Sequence, residues 1–176
     1  MHSSSLVACS CVFFQTAVAA ATYPGTTPGA PSAHREEDVY TLSNNILSAS
    51  WMVDGSRLIP LGIVNRERVA KGKKTAIGTR APELFRLSTE KEAFNLPSSR
   101  FMMERVPAIS ALKGIPSGLR PGERTEGVVI SAVFRDKGSG LTVLWKAELR
   151  EGASYVKENY RIEATKEVDL KKMEEE

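Results

Sequence analysis

From about residue 39 onward, apolar and polar side chains alternate with the period of two that a half-buried strand requires. In Asn45–Val53, Leu47, Ala49, Trp51 and Val53 share one face, with Ser48 and Ser50 between them. Asn44-Asn45 before this run suits a tight turn from a short strand at Val39–Leu42. Asp54-Gly55 after it is a hairpin signal leading into Arg57–Val64, because Gly adopts the positive φ that a two-residue turn needs. Pro60 lacks an N–H for the ladder, so it assigns this third strand to an edge or a bulge.

Further along, Glu83–Leu87 and Phe101–Val106 read as short strands. Lys113 to Gly122 contains Gly114, Pro116, Gly118, Pro121 and Gly122 and is expected to be irregular. The most regular stretch is C-terminal. Val128–Arg135 and Leu141–Leu149 are strands joined by Asp136-Lys137-Gly138-Ser139-Gly140, and Glu151-Gly152-Ala153 turns into a strand at Tyr155–Thr165. The spacing of these runs is that of a sandwich, so an all-β fold of antiparallel β-sandwich type is expected over residues 37–176. The charged tail from Lys166 to Glu176 is expected to form a short helix or to fray.

The first residues follow a different pattern. No Lys, Arg, Asp or Glu occurs before Arg35, and Leu6 to Phe14 is mostly apolar. Ala17 to Ala21 follow with overlapping A-x-A sites, which reads as a signal peptide over residues 1–21 with cleavage at Ala19, Ala20 or Ala21. Ser10, Gln15 and Thr16 interrupt the run, leaving it shorter than the roughly 20 apolar residues of a membrane span. The n-region has only His2 and the terminal amine, and a buried core helix is the competing reading. Leu6-Val7-Ala8-Cys9 resembles a lipobox, but almost no apolar region precedes Cys9, so ordinary cleavage ranks above lipid anchoring. The expected address is secreted or periplasmic. The Pro-, Gly- and Thr-rich residues 22–36 read as a flexible spacer.

Composition changes this picture mainly by exclusion. At 176 residues, 41% hydrophobic and 26% charged, the chain has material for one core, and a net charge of +3 does not call for nucleic acid. Both cysteines, Cys9 and Cys11, lie in the signal segment, so the mature chain is expected to have no disulfide, thiol nucleophile or cysteine metal site. That usage suits a bacterial exported protein. Its single histidine, His34, falls in the spacer, which leaves no Ser-His-Asp or multi-histidine arrangement in the domain. No phosphate-binding glycine loop is present, and Gly138-Ser139-Gly140 reads as a hairpin turn. No cofactor or metal is expected.

Three groups of residues remain as candidates. Glu104, Glu123, Glu126, Glu148 and Glu158 lie on or beside strands, and glycosidases use two carboxyl groups at a set separation, but nothing in the pattern pairs these. The basic segment Arg66 to Arg80, with Arg66, Arg68, Lys71, Lys73 and Lys74, would attract phosphates, anionic glycans or a protein partner. It lacks the interleaved aromatics that stack on bases. Trp51, Trp145, Tyr155 and Tyr160 are the aromatics available to stack on a sugar. Trp51 and Trp145 lie in apolar runs that favour the core, and Tyr155, just after a turn, is the best placed for exposure.

Two stretches resemble a family. Leu42-Ser43-Asn44-Asn45-Ile46-Leu47-Ser48-Ala49-Ser50-Trp51 looks like the LSN-G-x-L opening strand pair of the N-terminal β-super-sandwich, a galactose-mutarotase-like domain, in bacterial α-galactosidase-like (melibiase-type) glycoside hydrolases. The run from Trp145 to Lys157, through Leu149-Arg150, Gly152 and Ser154-Tyr155-Val156, is similar to a W-x-x-x-L-R-x-G-x-N/S-Y-V-R hairpin deeper in that domain. Asn45 stands where the family favours Gly, and Lys157-Glu158 where Arg-Gln is expected. The resemblance implies a partial super-sandwich, a fragment whose catalytic aspartates would lie on a barrel absent from this chain. It transfers no catalytic residue; mutarotases of related fold use histidine and carboxylate chemistry, and the domain has no histidine for it. The expectation is therefore a non-catalytic accessory domain of a glycoside-hydrolase-like protein, packing against a catalytic barrel domain or contacting carbohydrate. The alternative is an independent exported module that binds anionic glycans or a protein through Arg66–Arg80.

Overall fold

The computed structural model of the chain describes residues 25–72, 82–88 and 95–164. The expected cleavage site, Lys73, Lys74 and the charged C-terminal tail lie outside the described residues. Two antiparallel sheets face each other. The first is a meander of β1 (Ser32–Glu36), β2 (Val39–Ser43), β3 (Leu47–Asp54) and β4 (Arg57–Asn65) in that order. The second is built on β9 (Gly127–Asp136), β10 (Leu141–Arg150) and β11 (Lys157–Ala164), with β7 (Met102–Met103) and β8 (Ala108–Leu112) both pairing on the far side of β9. A small hairpin of β5 (Arg86–Ser88) and β6 (Asn95–Pro97) stands apart, and α1 (Arg66–Ala70) follows β4. The chain is thus an all-β, antiparallel, sandwich-like fold.

The core is the sum of the inward alternations. Leu42, Ala49 and Trp51 from the first sheet meet Ile130, Ala132, Phe134, Val143, Trp145, Ala147 and Leu149 from the second in one buried cluster. Trp51 and Trp145 pack edge to face with centroids 5.3 Å apart, the arrangement their ring quadrupoles favour. Phe85 joins a second aromatic group, meeting Phe101, Phe134 and Tyr160 at 5.3, 5.8 and 5.9 Å. Burying each such large side chain contributes about 1.5–3 kcal/mol.

Local chemistry explains the turns. Gly55 at φ +60° closes the β3–β4 hairpin between Asp54 and Arg57. Pro60 lies on β4, which is an edge strand, and the register shifts by one residue opposite Ser50 and Trp51. The sequence allowed either an edge or a bulge, and the strand has both. Asp136 organises the β9–β10 turn, its carboxylate accepting from the Ser139 N–H at 3.0 Å and lying 3.7 Å from the Arg100 guanidinium.

Three expectations need correction. Residues 25–36 are not a flexible spacer. His34 is on β1, which pairs along β2 from Ser32↔Ser43 to Glu36↔Val39, and Pro28 is fully buried. The Asn45 N–H donates to the Pro28 carbonyl and the Gly152 N–H to the Gly29 carbonyl, so long-range bonds hold a segment whose composition favours disorder. The basic segment does not start as a loop, because Asn65 caps α1 by accepting from the Arg68 N–H at 3.0 Å. Phe101–Val106 is a strand only at Met102–Met103, and the longer pairing along β9 is made by β8 at Ala108–Leu112, which carried no strand expectation.

Candidate functional site

The outward positions of β10 and β11 form the floor of a charged cleft. Alternation on β10 turns Glu148 and Arg150 away from the core, with Glu148 opposite Lys157 on β11. The irregular segment before β9 supplies the wall. It is held by bonds from the Ile115 N–H to the Glu123 carbonyl and from Arg124 Nε to the Gly118 carbonyl. The turn Pro121–Arg124 then presents Arg120, Gly122 and Glu123 to the cleft.

Arg150 is the tie between wall and floor. Its Nη1 donates to the Thr125 carbonyl at 2.7 Å and the Glu123 carbonyl at 3.4 Å, while Nη2 lies 3.8 Å from Glu148 Oε2. The other Glu148 oxygen accepts from Asn159 at 3.2 Å. Tyr155 closes the arrangement. It is 60% exposed, and a side chain at position 122 would meet its hydroxyl at 3.6 Å, so the ring reaches across to the glycine.

On its other side Tyr155 borders a hollow lined by Ile46, Leu47, Ile63, Asn65, Ser154 and Val156. The charged cleft holds about 70 Å³ and the hollow about 320 Å³. Ligand sites run from roughly 300 to 1,000 Å³, so only the hollow has room for a small ring. The cleft offers charged and hydrogen-bonding groups at its edge. Tyr155 is the ridge between an apolar recess and a polar rim.

The remaining candidates separate by burial. Trp51 is 3% and Trp145 0% exposed; both belong to the core and present no ring to a ligand. Arg66 donates to the Asn44 carbonyl at 2.8 Å, so its guanidinium serves the β2–β3 turn. Arg68 and Lys71 are exposed on α1 and at its C-terminus. Glu158 accepts from the Tyr160 hydroxyl at 2.5 Å. Burial, followed by this nearby carboxylate, pushes the Tyr160 phenol well above its usual range.

Sequence reasoning selected Tyr155 but missed its company. Glu123 and Glu148 were noted only as unpaired carboxylates, and Arg120, Arg150 and Lys157 carried no expectation. The available signal was parity: residues 148 and 150 share the outward face of a strand whose other face is apolar. Among the described residues, no group of three or more His, Cys, Asp or Glu side chains is placed to hold a metal ion, and no helix is long and apolar enough to cross a membrane. The chain matches no family model, no curated protein and no solved structure.

Proposed function

We propose that the chain is an exported, non-catalytic β-sandwich that contacts carbohydrate, as an accessory domain of a glycoside-hydrolase-like protein. The observation that carries this reading is the position of Tyr155 between an apolar hollow and a charged rim. A sugar ring has one apolar C–H face and a polar periphery. The Tyr155 ring and the walls of Ile46, Ile63 and Val156 suit the face, and Glu148, Arg150 and Lys157 suit the hydroxyls. A further support is that the two stretches resembling the α-galactosidase N-terminal domain meet in space. Asn44 of the first donates through Nδ2 to the Ala153 carbonyl of the second at 2.8 Å.

Chemical-shift titration of the full chain with galactose-containing oligosaccharides tests this reading. Binding is expected to move the resonances of Tyr155, Val156 and Ile63, and Tyr155→Ala is expected to weaken it by about 1–2 kcal/mol, the order of one aromatic contact. A flat titration at millimolar sugar, or full affinity in Tyr155→Ala, would remove the sugar site.

A further inference from the structure

We propose that β11 is a dimerisation edge, pairing antiparallel with β11 of a second copy so that the second sheet runs continuously through both. This surface shares Lys157 with the rim of the charged cleft, but the inference does not depend on the carbohydrate reading.

Among the described residues β11 pairs only with β10, which leaves its other side as an open ladder of N–H and C=O groups. Its inward face is unusual. Trp145, Val143 and Leu141 on β10 are buried, but their cross-strand partners Tyr160, Ile162 and Ala164 are exposed, Tyr160 by 41% and Ile162 by 52%. The first sheet lies over β9 and β10, so the core-facing stripe runs past it onto β11. There Phe85 packs on the Tyr160 ring and the Tyr160 hydroxyl donates to the Leu84 carbonyl at 3.2 Å, while Ile162 and Ala164 lie exposed. An open edge and apolar side chains exposed at Ile162 and Ala164 thus coincide on one strand.

The strand's own charges select the partner and the register. A two-fold axis perpendicular to the sheet keeps inward side chains opposite inward ones, so only alternate registers are allowed. Two of these overlap nearly the whole strand. Centring on Arg161 sets the two guanidinium groups directly opposite each other. Centring on Tyr160 instead sets Lys157 opposite the second copy's Glu163, twice by symmetry, and Asn159 opposite Arg161. On the inward face Tyr160 faces Tyr160, and Glu158, which accepts from the Tyr160 hydroxyl, faces Ile162 on each side. Opposite charges in facing positions stabilise a strand pair and like charges oppose it, so the Tyr160-centred register is the one adopted. The other edge, β8, spans Ala108–Leu112 without a single charge, and has no such means of choosing a partner.

Sedimentation velocity of the full chain over a concentration series is the test. A reversible dimer is expected. Ile162→Lys and Glu163→Lys are each expected to raise its dissociation constant by about tenfold or more. Lys157→Glu combined with Glu163→Lys restores opposite charges and is expected to recover dimerisation, and unchanged circular-dichroism melts of each single variant check that it folds. Four results would overturn the proposal: a wild-type monomer at all concentrations, species that grow beyond the dimer, a double variant no better than Glu163→Lys, or a dimer that appears only after residues 165–176 are removed. The last would make the tail, and not a second copy, the occupant of the edge.

Discussion

At the scale of single residues, two buried polar side chains set the geometry of turns. Asn44 is 4% exposed and satisfies three groups: Oδ1 accepts from the Ile46 and Leu47 N–H groups at 3.0 Å each, and Nδ2 donates to Ala153. It therefore joins the β2–β3 turn to the β10–β11 turn, two points over a hundred residues apart in the chain. Asp136 does comparable work between β9 and β10. Burial pushes its carboxyl up, but the Ser139 hydroxyl and N–H, the Arg100 guanidinium and the Gly138 N–H together hold it below the usual aspartate range. A carboxyl depressed on folding stabilises the native state above its unfolded pKa, and that stabilisation is lost as pH falls through the folded value. Asp136→Asn is expected to cost about 1–2 kcal/mol at neutral pH, with the difference from wild type vanishing in strong acid. Urea unfolding at a series of pH values measures it, and a pH-independent difference would mean that the charge plays no part.

At the scale of elements, register depends on close approach as much as on alternation. Gly127 opens β9 opposite Arg150, and a Cβ there would lie 2.6 Å from the Leu149 carbonyl oxygen and 3.0 Å from the Arg150 Cα. Backbone cannot yield as a flexible side chain does, so Gly127→Ala must push β9 and β10 apart at the end that carries Arg150. A loss of about 1–3 kcal/mol is expected from such overpacking. Thermal unfolding checks it, and hydrogen exchange should locate the loosening at residues 127–129 and 148–150. The β9–β10 hairpin was legible in sequence because both strands alternate cleanly and a Gly-rich turn separates them. The pairing of β7 and β8 on the far side of β9 was not. β8 is exposed along most of its length and lacks the periodicity of a half-buried strand, and the strand legible around β7 gave no local sign of which strand it pairs with.

At the scale of the whole molecule, the segment before β2 closes one side of the structure. Its composition of Pro, Gly, Thr and Ala resembles a linker, yet Pro28 is buried and β1 completes a four-stranded sheet. Deleting residues 25–36 is therefore expected to lower the melting temperature by several degrees and to expose β2 as a new edge, raising the tendency to associate. Calorimetry on the shortened chain tests this; an unchanged transition would return the segment to the role of a spacer. Tyr155 shows the same dependence on the whole. Its exposure follows from its place after a turn, but the recess beside it exists only because Ile46 of the β2–β3 turn and Ile63 of β4 approach Val156 of the loop leading into β11.

The sequence by itself determined the class of fold, the main strands of both sheets and the principal turns. Period-two alternation and positive-φ glycines act between near neighbours, and a local pattern can be read locally. It also marked Trp51 and Trp145 as core residues and Tyr155 as the exposed aromatic. Tertiary structure alone decided that residues 25–36 belong to the fold, that Arg120, Glu123, Glu148, Arg150 and Lys157 converge on Tyr155, and that Ile162 on the inward face of β11 is exposed. Each of these depends on which distant segments meet. That is settled by burial and hydrogen bonding across the whole chain, which no local pattern encodes.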